Sequence, residues 1–126
     1  MKKSKRERVY EKYGGHCAYC GEKIAYKNMQ VDHKFPKGLK HWIGNEEKMK
    51  DTGSEELKNV NEISNLMPSC KSCNYHKSTF LINEFRDDLK KKVNLVRSSK
   101  ILLLERYGLI EFKRKEIVFY FEEQTT

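Results

Sequence analysis

Residues 17–20 read Cys-Ala-Tyr-Cys and residues 70–73 read Cys-Lys-Ser-Cys, so all four cysteines of the chain lie in two pairs of identical spacing. Thiolate sulfur is a preferred ligand of Zn²⁺, and a two-residue gap lets one tight turn present two sulfurs to one ion. A disulfide pair and a thioredoxin-like redox motif are the alternatives, but disulfides are rare in reducing compartments and a redox motif needs no second copy. The spacing predicts one structural zinc site formed by Cys17, Cys20, Cys70 and Cys73.

Length and charge narrow the class of protein. The chain has 126 residues, of which 37% are hydrophobic and 35% charged. One domain with a modest core fits these values, and a large enzyme built on many buried strands is excluded. The net charge is +8, and residues 1–50 hold 13 basic and 6 acidic side chains. This uneven excess favours a polyanionic partner, most simply nucleic acid, over the alternative that basic segments only keep the protein soluble.

The sequence carries no sign of a membrane or an export route. No apolar run approaches the roughly 20 residues that a membrane span needs. The first residues, MKKSKRERVYEKY, are basic but lack the apolar stretch of a secretory signal. We expect a cytoplasmic protein without a membrane partner.

Periodicity and turn residues give a coarse outline of the first half. Residues 3–13 fit a short basic helix ended by two glycines, and residues 29–31 fit a short strand that leads into Asp-His. Three glycines punctuate the polar segment 36–62, which predicts a loop with one or two helical turns. A helix is expected to begin near residues 69–73, with Ser69 as its N-cap.

Beyond residue 77 the pattern becomes helical. Apolar residues recur at three- to four-residue steps from 80 to 96, and a second helix is predicted over 101–107. We interpret this stripe as core or as a dimer surface. The segment IVFYFEE at 117–123 predicts a strand, paired with residues 109–112 in a hairpin.

Three short segments stand out around the cysteines: Val-Asp-His at 31–33, Asn-Leu-Met-Pro at 65–68 and Cys-Asn-Tyr-His-Lys-Ser at 73–78. In this order, the combination resembles the HNH endonuclease family. The resemblance implies an α+β fold: a small ββα-metal (His-Me finger) nuclease core with structural zinc at residues 15–78. A basic N-terminal helix (1–14) precedes it, and a C-terminal extension of helices and a hairpin (79–126) follows. It also implies a metal-dependent endonuclease that hydrolyses phosphodiester bonds in DNA.

The resemblance assigns a role to each matching residue. His33 is expected to be the general base that activates water, and Asp32 a ligand of a catalytic divalent ion. Asn65 is expected to hold the loop that carries His33, through hydrogen bonds to backbone. Asn74 matches the position of the second metal ligand, and Lys77, one turn later on the same helix face, is expected to contact the phosphate. One carboxylate, one amide and several waters suit Mg²⁺ or Mn²⁺.

Two features of the sequence raise questions about this site. Asp32 and His33 are adjacent, so in an extended strand their side chains point to opposite sides. Either the strand bends there or the metal lies at the edge between them. The segment between His33 and Asn65 is also longer than in compact family members. The extra residues, near 40–60, form a loop over the cleft, contact the substrate, or have no function.

Several basic residues are candidates for contact with the phosphates of double-stranded DNA, where salt-sensitive binding needs no base recognition. They are Lys2, Lys3, Lys5, Arg6 and Arg8 in the first helix, Lys34 and Lys37 beside the site, and Lys71. A solvated face is the plain alternative. A homodimer would explain double-strand cutting. The competing functions are a non-catalytic, zinc-stabilised nucleic-acid-binding module and a protein-interaction module that uses the stripe at 80–107.

Overall fold

The described part of the chain folds as a small α+β protein with one two-stranded antiparallel sheet. The computed structural model describes residues 2–50, 52, 54, 56–113 and 115–124. Its helices and strands are α1 (Lys5–Glu11), β1 (Gln30–His33), α2 (Glu46–Met49), β2 (Leu66–Ser69), α3 (Lys71–Lys77), α4 (Ile82–Leu95), α5 (Ser99–Arg106) and α6 (Tyr120–Glu123). Short 3₁₀ helices span Tyr26–Asn28, Lys37–Trp42 and Ile63–Asn65. The predicted α+β class is confirmed.

The sheet brings the sequence motifs near one another. β1 pairs antiparallel with β2, with Asp32 opposite Met67 and His33 opposite Leu66. All three residues of the Val-Asp-His motif therefore lie inside the strand, which begins one residue later than expected and ends at His33. α3 starts two residues after β2 ends and packs against β1.

The predicted N-terminal helix is confirmed, with narrower bounds. Ser4 caps α1: its hydroxyl accepts a hydrogen bond from the Glu7 N–H, and the Glu7 carboxylate accepts one from the Ser4 N–H. Val9 is the buried residue of this helix and packs with Met29 and Leu66. The helix is thus fixed against the start of each strand.

The expected cap of α3 is wrong. Ser69 is the last residue of β2 and pairs with Gln30, so it cannot also begin the helix. The N-cap is Cys70, whose sulfur accepts a hydrogen bond from the Cys73 N–H at 3.4 Å. The beginning of α3 is therefore built from two of the four cysteines.

The two predicted C-terminal helices are confirmed as α4 and α5, but the predicted hairpin is wrong. Among residues 107–113 and 115–124 there is no strand, and α6 occupies most of the segment expected to be one. The N–H groups of Tyr120 and Phe121 donate to the carbonyls of Tyr19 and Ala18. Because these donors bond to the turn between the first two cysteines, they are not available to pair with residues 109–112.

Among the residues that the structure describes, three clusters of buried side chains form the interior. The first joins the cysteine turn to the C-terminal extension, the second lies under α1, and the third lies within the segment that follows β1. Their buried members are Cys17, Ala18, Tyr19, Met67, Phe85 and Phe119; Val9, Met29 and Leu66; and Phe35, Met49 and Val60. The extension thus shares a core with the cysteine turn, and the domain boundaries predicted at 14/15 and 78/79 stay predictions.

In the part of the chain that the structure describes, no helix is both long enough and apolar enough to cross a bilayer. The predicted cytoplasmic location stays a prediction.

Candidate metal centre and adjoining polar site

The four cysteine sulfurs form one compact group. All lie within 4.8 Å of one another, and the Cys20 and Cys70 sulfurs are 3.9 Å apart. Four sulfurs at about 2.3 Å from a tetrahedral zinc ion would be separated by about 3.8 Å. The donor set and its spacing therefore fit a structural metal such as zinc.

The first cysteine pair lies on a tight turn. The Gly21 N–H donates to the Cys17 carbonyl at 3.0 Å, and the Cys17 N–H donates to the Glu22 carbonyl at 2.7 Å. Gly21 has a φ of 81°, and a Cβ there would lie 2.7 Å from Cδ1 of Tyr120. Only glycine suits both this backbone conformation and the close ring.

Proximity makes the thiols of Cys17, Cys20 and Cys73 electrostatically unequal. A hydrogen bond from Cys73 lowers the pKa of Cys17 to about 4, while burial raises the pKa of Cys20 to about 11. The hydrogen bond to Cys17 also raises the pKa of Cys73. A first thiolate therefore forms readily and discourages others, whereas a bound Zn²⁺ would favour the thiolate at every ligand.

A buried ion pair joins β1 to α3. The Lys77 side chain is 0% exposed and that of Asp32 is 8% exposed, and Lys77 Nζ lies 3.0 Å from Asp32 Oδ2. Lys77 also donates to the His33 carbonyl at 2.9 Å, and the Tyr19 hydroxyl donates to the same Asp32 oxygen. Burial lowers the pKa of Lys77, and Asp32 opposes that shift.

Lys77 is engaged inside the protein: its ammonium is enclosed beneath the strand and contacts a carboxylate and a backbone carbonyl. Its expected contact with phosphate stays a prediction. Both side-chain contacts of Asp32 use Oδ2, so a catalytic ion would have to be held by Oδ1. Asn74 is half-buried and lies one turn before Lys77 on the same face of α3. The roles of Asp32 and Asn74 as metal ligands stay predictions.

His33 lies on the other face of β1. The strand is regular through both residues, so the side chain of Asp32 points inward and that of His33 outward. Nε2 of His33 lies 2.9 Å from Oδ1 of Asn61. No sequence signal singled out Asn61, because it is one of several asparagines in a polar loop and its contact spans 28 residues.

Asn65 ties together both ends of the segment that follows β1. Its amide oxygen accepts from the Phe35 N–H at 2.8 Å, and its Nδ2 donates to the carbonyls of Phe35 and Val60 at 3.0 and 2.9 Å. The Lys34 N–H also donates to the Asn65 carbonyl. These are backbone bonds of the kind that the resemblance implies, and they fix the chain directly after His33. Any catalytic consequence stays a prediction.

Replacing Asn65 by Ala is expected to destabilise the protein by about 2–4 kcal/mol, because buried backbone groups of Phe35 and Val60 would lose their partners. Urea unfolding followed by circular dichroism measures this loss. Asn28→Ala, at an exposed position, is the matched control and should change stability by less than about 0.5 kcal/mol. Equal midpoints for the two variants would contradict the assigned role of the Asn65 amide.

The basic residues expected to contact phosphates divide into two groups. Three are engaged within the protein: Arg6 donates to the Tyr26 and Met29 carbonyls, Lys3 pairs with Glu11, and Lys34 lies half-buried beside a ring, where burial lowers its pKa. The others are exposed: Lys2, Lys5, Arg8, Lys37 and Lys71. Contact with nucleic acid stays a prediction for all of them. The exposed residues are better placed to reach phosphate oxygens, because their side chains are open to solvent.

Comparison with protein-family models and with curated proteins finds no match for this chain.

Proposed function

We propose that this protein is a metal-dependent endonuclease of the HNH type, with a ββα-metal core stabilised by zinc, that hydrolyses phosphodiester bonds in DNA. The observation that carries the proposal is the contact between β1 and α3. α3 begins at a cysteine of the cluster and packs Lys77 against Asp32 and the His33 carbonyl. Asn74 lies one turn earlier on the same helix face. The histidine, carboxylate and amide that such chemistry needs thus belong to two elements in direct contact.

His33 and the expected ion ligands leave β1 on opposite faces, and His33 is the last residue of the strand. The base and the ion would therefore have to meet on one phosphate at the edge of the strand. On the outer face, Nε2 of His33 is occupied by Asn61, so Nδ1 is the nitrogen that would accept a proton from the attacking water. On the inner face, Oδ1 of Asp32 and the Asn74 amide would hold the divalent ion. Mg²⁺ or Mn²⁺ bound there would neutralise negative charge on the phosphate and on the leaving oxygen. Lys77 fixes the Asp32 carboxylate in position.

The charge of the protein supports nucleic acid as the substrate. The net charge is +8, and the five exposed basic residues named above are available to phosphate oxygens. Binding should weaken with salt, because phosphate contacts release counterions. Double-stranded DNA as the preferred partner, and a homodimer as the form that would cut both strands, are part of this proposal.

A non-catalytic, zinc-stabilised nucleic-acid-binding module is the second candidate. It is favoured by the use of Asp32 Oδ2 in a buried ion pair, because such a pair can hold α3 on β1 without any part in catalysis. This candidate requires salt-dependent retention of DNA with no strand breakage, whichever divalent ion is present.

A plasmid assay separates the two candidates. Zinc-loaded protein is incubated with supercoiled DNA and Mg²⁺ or Mn²⁺, and nicked and linear products are measured over time. His33→Ala should reduce the rate about 10²–10⁴-fold, as expected for loss of a general base. His41→Ala, at an exposed histidine, is the matched control and should cut as the unmodified protein does. Equal cutting by all three proteins, or DNA retention without cutting by any, would count against the endonuclease.

A further inference from the structure

The described residues of the segment between His33 and Asn65 contain a buried cluster. Phe35, Met49 and Val60 form its buried centre, with Trp42 and Leu57 packed against them. The two ends of the segment are joined by the Asn65 amide, which bonds Phe35 on one side and Val60 on the other. The turn next to Val60 is therefore held at a fixed place relative to the end of β1.

Asn61 occupies a well-defined turn at the end of this segment. Its N–H donates to the Asn59 side-chain oxygen at 2.8 Å. The Glu62 carboxylate accepts from the N–H groups of Lys58 and Asn59, which closes the same turn. Local hydrogen bonds thus fix the backbone from which the Asn61 side chain extends toward His33.

The contact between the two side chains has a direction. Oδ1 of Asn61 lies 2.9 Å from Nε2 of His33, and an amide oxygen can only accept. Nε2 of a neutral His33 must therefore carry the proton, which leaves the lone pair on Nδ1. The bond also restricts rotation of a half-exposed imidazole that would otherwise sample several orientations.

We propose that Asn61 is a positioning residue: by accepting from Nε2, it holds His33 in the Nδ1-basic tautomer and in one orientation. In this proposal, the segment between His33 and Asn65 contributes to the active site by holding Asn61 in place. The sequence offered three interpretations of the extra length of this segment, and support of Asn61 was not among them. The proposal replaces the interpretation that the extra length has no function. It rests on the proposed function for its effect on rate, while the hydrogen bond can be tested without any activity.

The kinetic test compares two substitutions in the zinc-loaded, full-length chain. Asn61→Ala removes the acceptor and should lower kcat about tenfold with KM changed less than about twofold, since misorientation of the base slows the chemical step and not binding. Asn61→Asp keeps an oxygen acceptor in the same place and should restore kcat to within about threefold of the unmodified protein. Lys58→Ala, at an exposed position of the same turn, is the matched control.

The structural test reads the tautomer directly. ¹⁵N NMR of the histidine rings, with His33 assigned by its loss in His33→Ala, should show a protonated Nε2 and an unprotonated Nδ1 in the neutral ring. Asn61→Ala should shift these signals toward a mixture of tautomers, and Asn61→Asp should not.

The outcomes separate this inference from the proposed function. Loss of cutting in His33→Ala together with normal kcat in Asn61→Ala would overturn the positioning role and leave the endonuclease standing. A proton on Nδ1 in the unmodified protein would overturn the hydrogen-bond direction whatever the activity. Normal cutting by His33→Ala would remove the endonuclease, and with it the catalytic role of Asn61.

Discussion

Removal of the metal from the four-cysteine site is expected to unfold most of this chain. Structural Zn²⁺ contributes about 10–16 kcal/mol of apparent binding free energy at neutral pH, whereas domains of this size have net stabilities of about 5–15 kcal/mol. Cys17 and Tyr19 are also members of the largest buried cluster, together with Phe85 and Phe119. Without the ion, four sulfurs within 4.8 Å would have no common ligand, and the cluster would lose the turn on which it is built.

Far-UV circular dichroism and thermal melting measure this effect before and after chelation. Loss of the cooperative melt, and its return on addition of one equivalent of Zn²⁺, is the expected result. Cys17→Ser should behave as the chelated protein does. Ser72→Ala, an exposed residue between two ligands, is the matched control and should retain zinc and melt normally. A chelated protein with an unchanged spectrum and midpoint would show that the sulfur cluster is not a structural metal site.

The features that the sequence predicted well are those encoded over short distances. The paired spacing of the cysteines brings two sulfurs together within a single turn each, so the cluster could be predicted without knowledge of the fold. α1, α4 and α5 follow from local apolar periodicity and from breaks at glycine or serine. β1 and the start of α3 follow from the same kind of local signal, with slightly different bounds, whereas no local signal predicted β2.

The features that it missed depend on partners far away in the chain. Residues 117–123 have the composition of a strand, yet the N–H groups of Tyr120 and Phe121 bond to carbonyls about 100 positions earlier. The contact between Asn61 and His33 spans 28 residues and involves a polar loop without periodicity. Lysine is usually solvated, so nothing in the sequence predicted a buried Lys77. Its burial depends on Asp32, which lies across the contact between β1 and α3. Local propensity carries no information on such pairings.

Replacing Lys77 by Met is expected to destabilise the protein by about 3–5 kcal/mol, because it leaves a buried carboxylate without its cation. Asp32 would keep the Tyr19 hydroxyl as its partner but lose the ammonium at 3.0 Å, and the His33 carbonyl would lose its donor. Methionine has a similar length and fills the same space, so the loss reports on charge and hydrogen bonding more than on packing. Urea unfolding of the zinc-loaded protein measures it.

The control for this substitution lies on the same helix. Lys71→Met changes an exposed lysine at the start of α3 and should alter stability by less than about 0.5 kcal/mol. Combining Asp32→Asn with Lys77→Met removes both charges and should recover part of the loss, since the cost of the single variant comes largely from the unpaired carboxylate. A Lys77→Met protein as stable as the Lys71→Met control would mean that the Lys77 ammonium does not stabilise the Asp32 carboxylate. The support that α3 gives to Asp32 and His33 would then have to come from the cysteine cluster alone.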